Sequence, residues 1–438
     1  VKFYFTNGVP SDNVTTCQIT NVHTDTNTQS KETHMSMRKG DKLTTNEIDR
    51  LRTMFSQQRT NAVDLVTRLR EERERQADFI ADTRTLRMVP INDEMSAALP
   101  EIPQSERTQP VKPRVAIVPV NDQEEWYNAI GPVAANAHAH SQIGATLQIP
   151  RPYYQRMLEE QPDLLAHNVN TWFDKNPAQR MVRTMSTNGG GPKMAFARGF
   201  LSNKYRRLDA VDLADTIMPM FLDERSDWQV TQCGVTDLRV HIEARFPTIA
   251  GEVVVGDEVS LAVKITTSDV GAGALSIQFG VYRIVCTNLM TVPNFTKRQI
   301  HIGGSQSELV QVLSDRTLRA EDRLTMRKMK ELVASMANHE QFNTILSTLR
   351  NAAEVKVEDP VAATELLTAN LRLKDYENHE IQKALMADTS APTIWSLGNA
   401  LTSTARTFEF ERKAELEAAA GTLMSNPKMW KQYAEAAA

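Results

Sequence analysis

Only three cysteines occur in the 438 residues, Cys17, Cys233 and Cys286. None has CxxC or other metal-ligand spacing, which argues against a disulfide framework and for a reducing compartment. Aromatic residues make up just 6% of the chain, so the core must lean on Leu, Val, Ile, Met and Ala. No apolar run approaches the roughly 18 residues of a membrane-spanning helix, and no membrane partner is expected. The opening VKFYFTNGV has neither the basic flank nor the apolar segment of a secretory signal.

Catalytic signatures are missing as well. GxSxG, HExxH and DxD-type patterns do not occur, and neither STNGGGPK nor HIGGSQS meets the spacing of a nucleotide-cradling loop. His138 and His140, in NAHAHS, would share one side of a strand but lack a third ligand nearby. Cys286, in VYRIVCTNLM, reads as a buried small apolar side chain. The expectation is therefore a chain with no catalytic set, no metal and no cofactor.

What is present is an uneven distribution of charge. The net charge is −4. Yet residues 175–208 hold Lys175, Arg180, Arg183, Lys193, Arg198, Lys204, Arg206 and Arg207 and no Asp or Glu. Average composition would put about four residues of each sign there. A basic stripe on an acidic body is a directed electrostatic feature. Lys and Arg neutralise phosphates, and an interleaved Tyr205 can stack on an unpaired base. Gly199 and Gly189–Gly191 would let a backbone come close. The other readings are arginines paired with a neighbouring subunit, or a solvated loop.

The patterning divides the chain into four parts. Residues 1–89 read as a loose arm followed by a long amphipathic helix from Thr45 to about Arg84. Its stripe of Ile48, Leu51, Phe55, Ala62, Leu65, Leu69 and Phe79 suits a partner helix, another subunit or the chain's own domain. Residues 90–121, with six prolines between 90 and 120, read as an extended linker. Residues 122–304 form an α+β core in which Asp209 caps a helix over 210–222. There the period then changes to two. Leu238 to Phe246, Val259 to Ile265 and Leu275 to Val281 alternate as an antiparallel meander of three or more strands. Residues 305–438 read as helices, the last over 393–436. Runs of helices and strands in this order give an α+β class, not an alternating parallel sheet.

The motif Arg198-Gly199-Phe200-Leu201-Ser202 through Tyr205, Leu208 and Asp209 resembles the plasmid- and phage-encoded family known as domain of unknown function 932. Cys286-Thr287-Asn288 and the helix bearing Trp395, Asn399, Ala400 and Thr402 are similar to that family too. The resemblance covers roughly residues 125–425 and implies a mobile-element protein of a bacterial cytoplasm; a place in a virion is the other expectation for its location. The order of three antiparallel strands and a long helix is similar, at fold level only, to ring-forming Rad52-like single-strand annealing proteins.

These features lead to an expected homo-oligomer that binds single-stranded nucleic acid and promotes annealing in recombination. Arg183, Lys193, Arg198, Lys204, Arg206 and Arg207 would contact phosphates and Tyr205 would stack. The alternative is a structural, virion-associated oligomer without such binding. An enzyme acting on nucleic acid ranks third.

Overall fold

The computed structural model describes residues 45–98, 112–121, 124–186, 195–203, 205, 208–284, 288–292, 315–388, 391–408 and 410–436. Among them the fold is α+β, with two sheets and a helical C-terminal region.

Helix α1 (Thr45–Glu74) leads into the first sheet, so the helical reading to Arg84 runs too far. Strands β1 (Phe79–Asp82) and β2 (Leu86–Pro90) follow, then α2 (Asp93–Ala98), β3 (Val115–Pro119), α3 (Glu125–Ile130) and β4 (Val133–Ala135). Three helices come next, α4 (Ala137–Thr146), α5 (Arg151–Glu160) and α6 (Pro162–Lys175), before β5 (Gln179–Ser186) and β6 (Ala195–Ser202). The proline-rich stretch is thus not merely a linker, because β3 lies within it. His138 and His140 sit on a helix, not a strand. Asn136 caps that helix by accepting from the Ala139 N–H at 2.8 Å.

The strand order is β1-β5-β6-β4-β3-β2, antiparallel except where β4 lies beside β6. β1 and β2 occupy opposite edges, yet only the 3-10 turn Thr83–Thr85 joins them. Six flat strands would hold their edges about 24 Å apart. Four residue steps reach no more than about 14 Å. The sheet therefore curls until its two edges approach each other at that end. Asn170 of α6 covers the β2 edge, accepting from the Met88 N–H at 2.8 Å and donating to the Met88 carbonyl at 2.9 Å. Those bonds satisfy backbone groups that an open edge would leave available for another chain.

Helix α7 (Ala210–Leu222) leads to the second sheet, formed by β7 (Gln229–Val235), β8 (Val240–Val254), β9 (Asp257–Thr267), β10 (Ser276–Arg283) and β11 (Asn288–Thr291). Its order, β11-β10-β9-β8-β7, is a fully antiparallel meander of five strands. The three alternating runs seen in the sequence are β8, β9 and β10. Ala244, Val263 and Phe279 align across them in one buried row. Phe55, Ala62, Leu65 and Leu69 of α1 are buried, and the last three share a cluster with residues of α7, β8 and β9. Arg70–Asp215 at 2.6 Å and Arg73–Asp212 at 2.8 Å tie α1 to α7. The chain's own elements thus take up Phe55, Ala62, Leu65 and Leu69 of that stripe, while the Ile48 and Leu51 side chains lie outside the described residues.

The C-terminal helices are α8 (Asp315–Met336), α9 (His339–Glu354), α10 (Pro360–Leu371), α11 (Asp375–Asp388), α12 (Ile394–Ala405), α13 (Phe410–Ser425) and α14 (Pro427–Ala434). The single helix expected over 393–436 is thus three. Thr393 and Ser396 form a capping box for α12, and Asn426 with Pro427 restarts the chain as α14. Gly421 lets α13 lie directly on β11, since a methyl there would overlap the Thr291 carbonyl.

Candidate functional site

Two arginines of the basic stripe, Arg183 and Arg198, are buried. Arg183, on β5, is 1% exposed, and a register shift in the β5–β6 ladder falls between it and Thr184. Its guanidinium meets Asp78 at 2.9 Å and Asp209 at 2.7 Å and donates to the Asp269 carbonyl at 2.8 Å. Arg198, on β6, reaches the Asp269 carboxylate at 2.5 Å. These carboxylates come from three segments far apart in sequence, and the five-donor fork of arginine suits such a junction. Burial opposes the Arg183 charge, but Asp209, Asp78 and Asp269 outweigh it and raise its pKa. Burial likewise pushes Asp269 up, while Arg198 and Arg183 together hold it below the ordinary carboxylate range.

The β9–β10 loop, residues 268–275, is the other half of this hub. The Ser268 carbonyl accepts from the Tyr205 hydroxyl at 2.8 Å. The Val270 carbonyl accepts from Gln142 at 2.8 Å and faces His138 Nε2 at 2.9 Å. The Ala272 carbonyl accepts from Arg239 at 2.5 Å. Gly271 takes a φ of +78°, and a side chain there would strike Leu201. One short loop of the second sheet therefore holds β5, β6 and α4 of the first. A cleft of about 10 Å³ lies beside it, lined in part by Glu72, Arg198, Asp209, Arg239 and Asp269, with room for roughly one water.

These positions change the expected roles. Arg183 and Arg198 do not face an open groove; carboxylates already engage both. Tyr205 is anchored through its hydroxyl, and burial, with Asp269 nearby, pushes that group up to about 12. Asp209 stands at the start of α7 without capping it, because its carboxylate turns to Arg183. Lys193, Lys204, Arg206 and Arg207 lie outside the described residues, as do Cys286 and Gly189–Gly191. Gly199 has ordinary space around it, with no neighbour nearer than 3.5 Å to an added methyl. The sequence reading missed Asp78 and Asp269, which are remote in sequence, and Gln142, which carries no charge to mark it.

A second buried network lies between β8, β9 and α13. Lys264 meets Glu417 at 2.7 Å and Glu243 at 3.1 Å, and all three side chains are at most 2% exposed. Lys413 approaches Glu417 at 3.4 Å and Glu243 at 3.6 Å and donates to Gln232. His241 stacks on Phe410 with ring centres 3.7 Å apart. Burial would raise Glu243, but Lys413 and Lys264 overcome it and hold the carboxyl well below the ordinary carboxylate range. For Glu417 burial wins and its pKa rises. His140, beside Tyr154, is held at about 4 by burial, and His241 at about 3. Among the described residues no group of three His, Cys, Asp or Glu is placed to hold a metal ion, and no helix is long and apolar enough to cross a membrane.

The family described as "Domain of unknown function (DUF932)" matches residues 199–424, slightly more than half of the chain. The match takes in Tyr205, Asp209, Asp269 and the whole second network, and Arg198 lies one residue before it. No curated protein and no solved structure matches.

Proposed function

The chain belongs to the DUF932 family, and from that premise we propose that it is a non-enzymatic, oligomeric binder of single-stranded nucleic acid. The observation that carries this reading is where the carboxylates near the basic segment are engaged. Asp78, Asp209 and Asp269 pair inward with Arg183 and Arg198. These carboxylates account for two of the segment's eight cations. Lys193, Lys204, Arg206 and Arg207 are then the phosphate contacts. Arg183 and Arg198 become positioning residues that fix the hairpin bearing them.

Tyr205 and Asp209 bracket Arg206 and Arg207 and anchor the segment to the hub at either side. Anchoring lowers the entropy lost when a flexible polyanion is gripped. Such binding needs no covalent step. A strand extended along cations keeps its base edges free to meet a complement, which is the requirement for annealing.

The test is fluorescence polarisation of labelled oligo-dT at several salt concentrations, with mass measured on the same sample. The wild type should bind as a multimer with a steep negative salt slope. Replacing Lys204, Arg206 and Arg207 together with Ala should weaken binding and flatten the slope by about 2, near 0.7 for each contact to a single strand. Unchanged affinity and slope in that variant would remove the assignment.

A further inference from the structure

The segment also carries two cations that the hub leaves alone. Arg180, at the start of β5, is half-buried, and its Nε is shielded from solvent with no hydrogen-bond partner. Arg183, Arg198, Arg239, Arg283 and Arg412 each have a carboxylate within 3 Å. Arg180 has none among the described residues. A guanidinium partly withdrawn from water without a counter-ion is costly, and a buried N–H without an acceptor calls for one. Burial alone lowers the Arg180 pKa, with no carboxylate to oppose it.

Arg180 is also held in place. Its guanidinium packs over the Phe200 ring at 6.0 Å, and Phe200 stacks on Phe173 of α6 at 5.9 Å. The residue before Phe173 is Trp172, which is 39% exposed although its neighbours on the helix, Val169 and Phe173, are fully buried. Lys175 stands 5.6 Å from the Trp172 ring centre and makes no ion pair among the described residues. The last turn of α6 thus carries an exposed indole and Lys175, and Arg180 follows five residues later at the start of β5, neither cation having an ion pair among the described residues.

We propose that Trp172, Lys175 and Arg180 form a second contact surface for single-stranded nucleic acid, with Trp172 stacking on a base and Lys175 and Arg180 meeting the adjoining phosphates. The inference rests on the function proposed above and extends it from the Lys204–Arg207 segment to the α6–β5 junction. An indole has the largest stacking face of the side chains, and every base presents a π-face, so the contact is indifferent to sequence. The guanidinium supplies the planar fork that suits a phosphate. Together they give the mixture of stacking and charge that distinguishes a single strand from a bare polyanion.

The experiment compares full-length wild type, Trp172→Ala and Arg180→Gln, each checked for an unchanged melting temperature. The probes are labelled oligo-dT and an abasic strand of equal length. Trp172→Ala should weaken oligo-dT binding about 5-fold or more, as loss of one stacked base implies, and leave the abasic strand unaffected. Arg180→Gln should weaken both probes and reduce the salt slope by about 0.7. If both variants bind both probes as the wild type does, while the Lys204/Arg206/Arg207 variant is impaired, this surface is wrong and the proposed function stands. If the wild type binds neither probe, both fall together.

Discussion

The hub around Arg183 and the network around Lys264 are both buried and both mix signs, but they join different things. The hub draws carboxylates from the residues after α1, from the start of α7 and from the β9–β10 loop. It connects one sheet to the other. The Lys264 network connects one sheet to a helix lying on it, with ammonium groups shared between two glutamates. A planar fork with five donors can fix several backbones in one geometry, whereas ammonium groups tolerate more than one arrangement. The first is a junction between parts of the molecule. The second neutralises charge inside one part.

Removing the fork should have the largest effect. Arg183→Ala leaves Asp78 and Asp209 buried without their main partner and should cost about 3–5 kcal/mol. If the hub is a junction, limited proteolysis of this variant should release the two sheet regions at different rates. A uniform loss across the chain in urea unfolding and proteolysis would make the two networks equivalent.

Acid offers a second, smaller probe, because each half holds one buried histidine. His140 titrates at about 4 and His241 at about 3 when folded, against 6.5 in an open chain. The unfolded chain therefore takes up protons that the folded one refuses. Stability is complete above about pH 6.5 and declines as pH falls towards 4, by at most about 1.4 kcal/mol per pH unit for each histidine. The hub carboxylate Asp269 is held below the ordinary carboxylate range and stays charged in this window. Urea titrations between pH 7 and 4.5 should show the decline, and His140→Gln should remove about half of it. A flat profile would mean that neither histidine is sealed from water.

Glu417→Gln should be the mildest change. Its carboxyl is already pushed towards the neutral form, and an amide keeps an acceptor for Lys264, so a cost under about 1 kcal/mol is expected. A loss as large as that of Arg183→Ala would show that the lysine network, too, depends on full charge.

The second sheet was legible because β8, β9 and β10 alternate, and a period of two survives any burial of one face. The first sheet was not. Ala195–Ser202 is buried at every position but its last, so no alternation marks β6, and β4 is three residues long. Its β1–β5 pairing joins segments about a hundred residues apart and its β4–β6 pairing about sixty, which local pattern does not encode. The candidate site failed to read for a related reason. A window of 34 residues without an acid looks like a surface for anions. The acids that meet Arg183 and Arg198 stand at 78, 209 and 269. Asp209 was in view, one residue past the window, but its position before a helix suggested a cap. What could be read was the family, because the motifs around Arg198, Tyr205, Asp209 and Trp395 resemble it as a set. In the structure the first three gather at the hub, and the indole of Trp395 donates to Asp257.

The three-residue tie between β1 and β2 also sets a timetable. Both strands leave the ribosome well before β5, yet among the described strands β1 pairs only with β5, through contacts such as Phe79 with Val182. At about 5–20 residues per second, β1 waits on the order of 5–20 seconds for its neighbour. The hub waits still longer, until Asp269 has been made. During that interval the nascent chain presents an unfinished, apolar sheet. Slowing synthesis between residues 90 and 180 should therefore lower the yield of folded protein more than the same delay placed after residue 315.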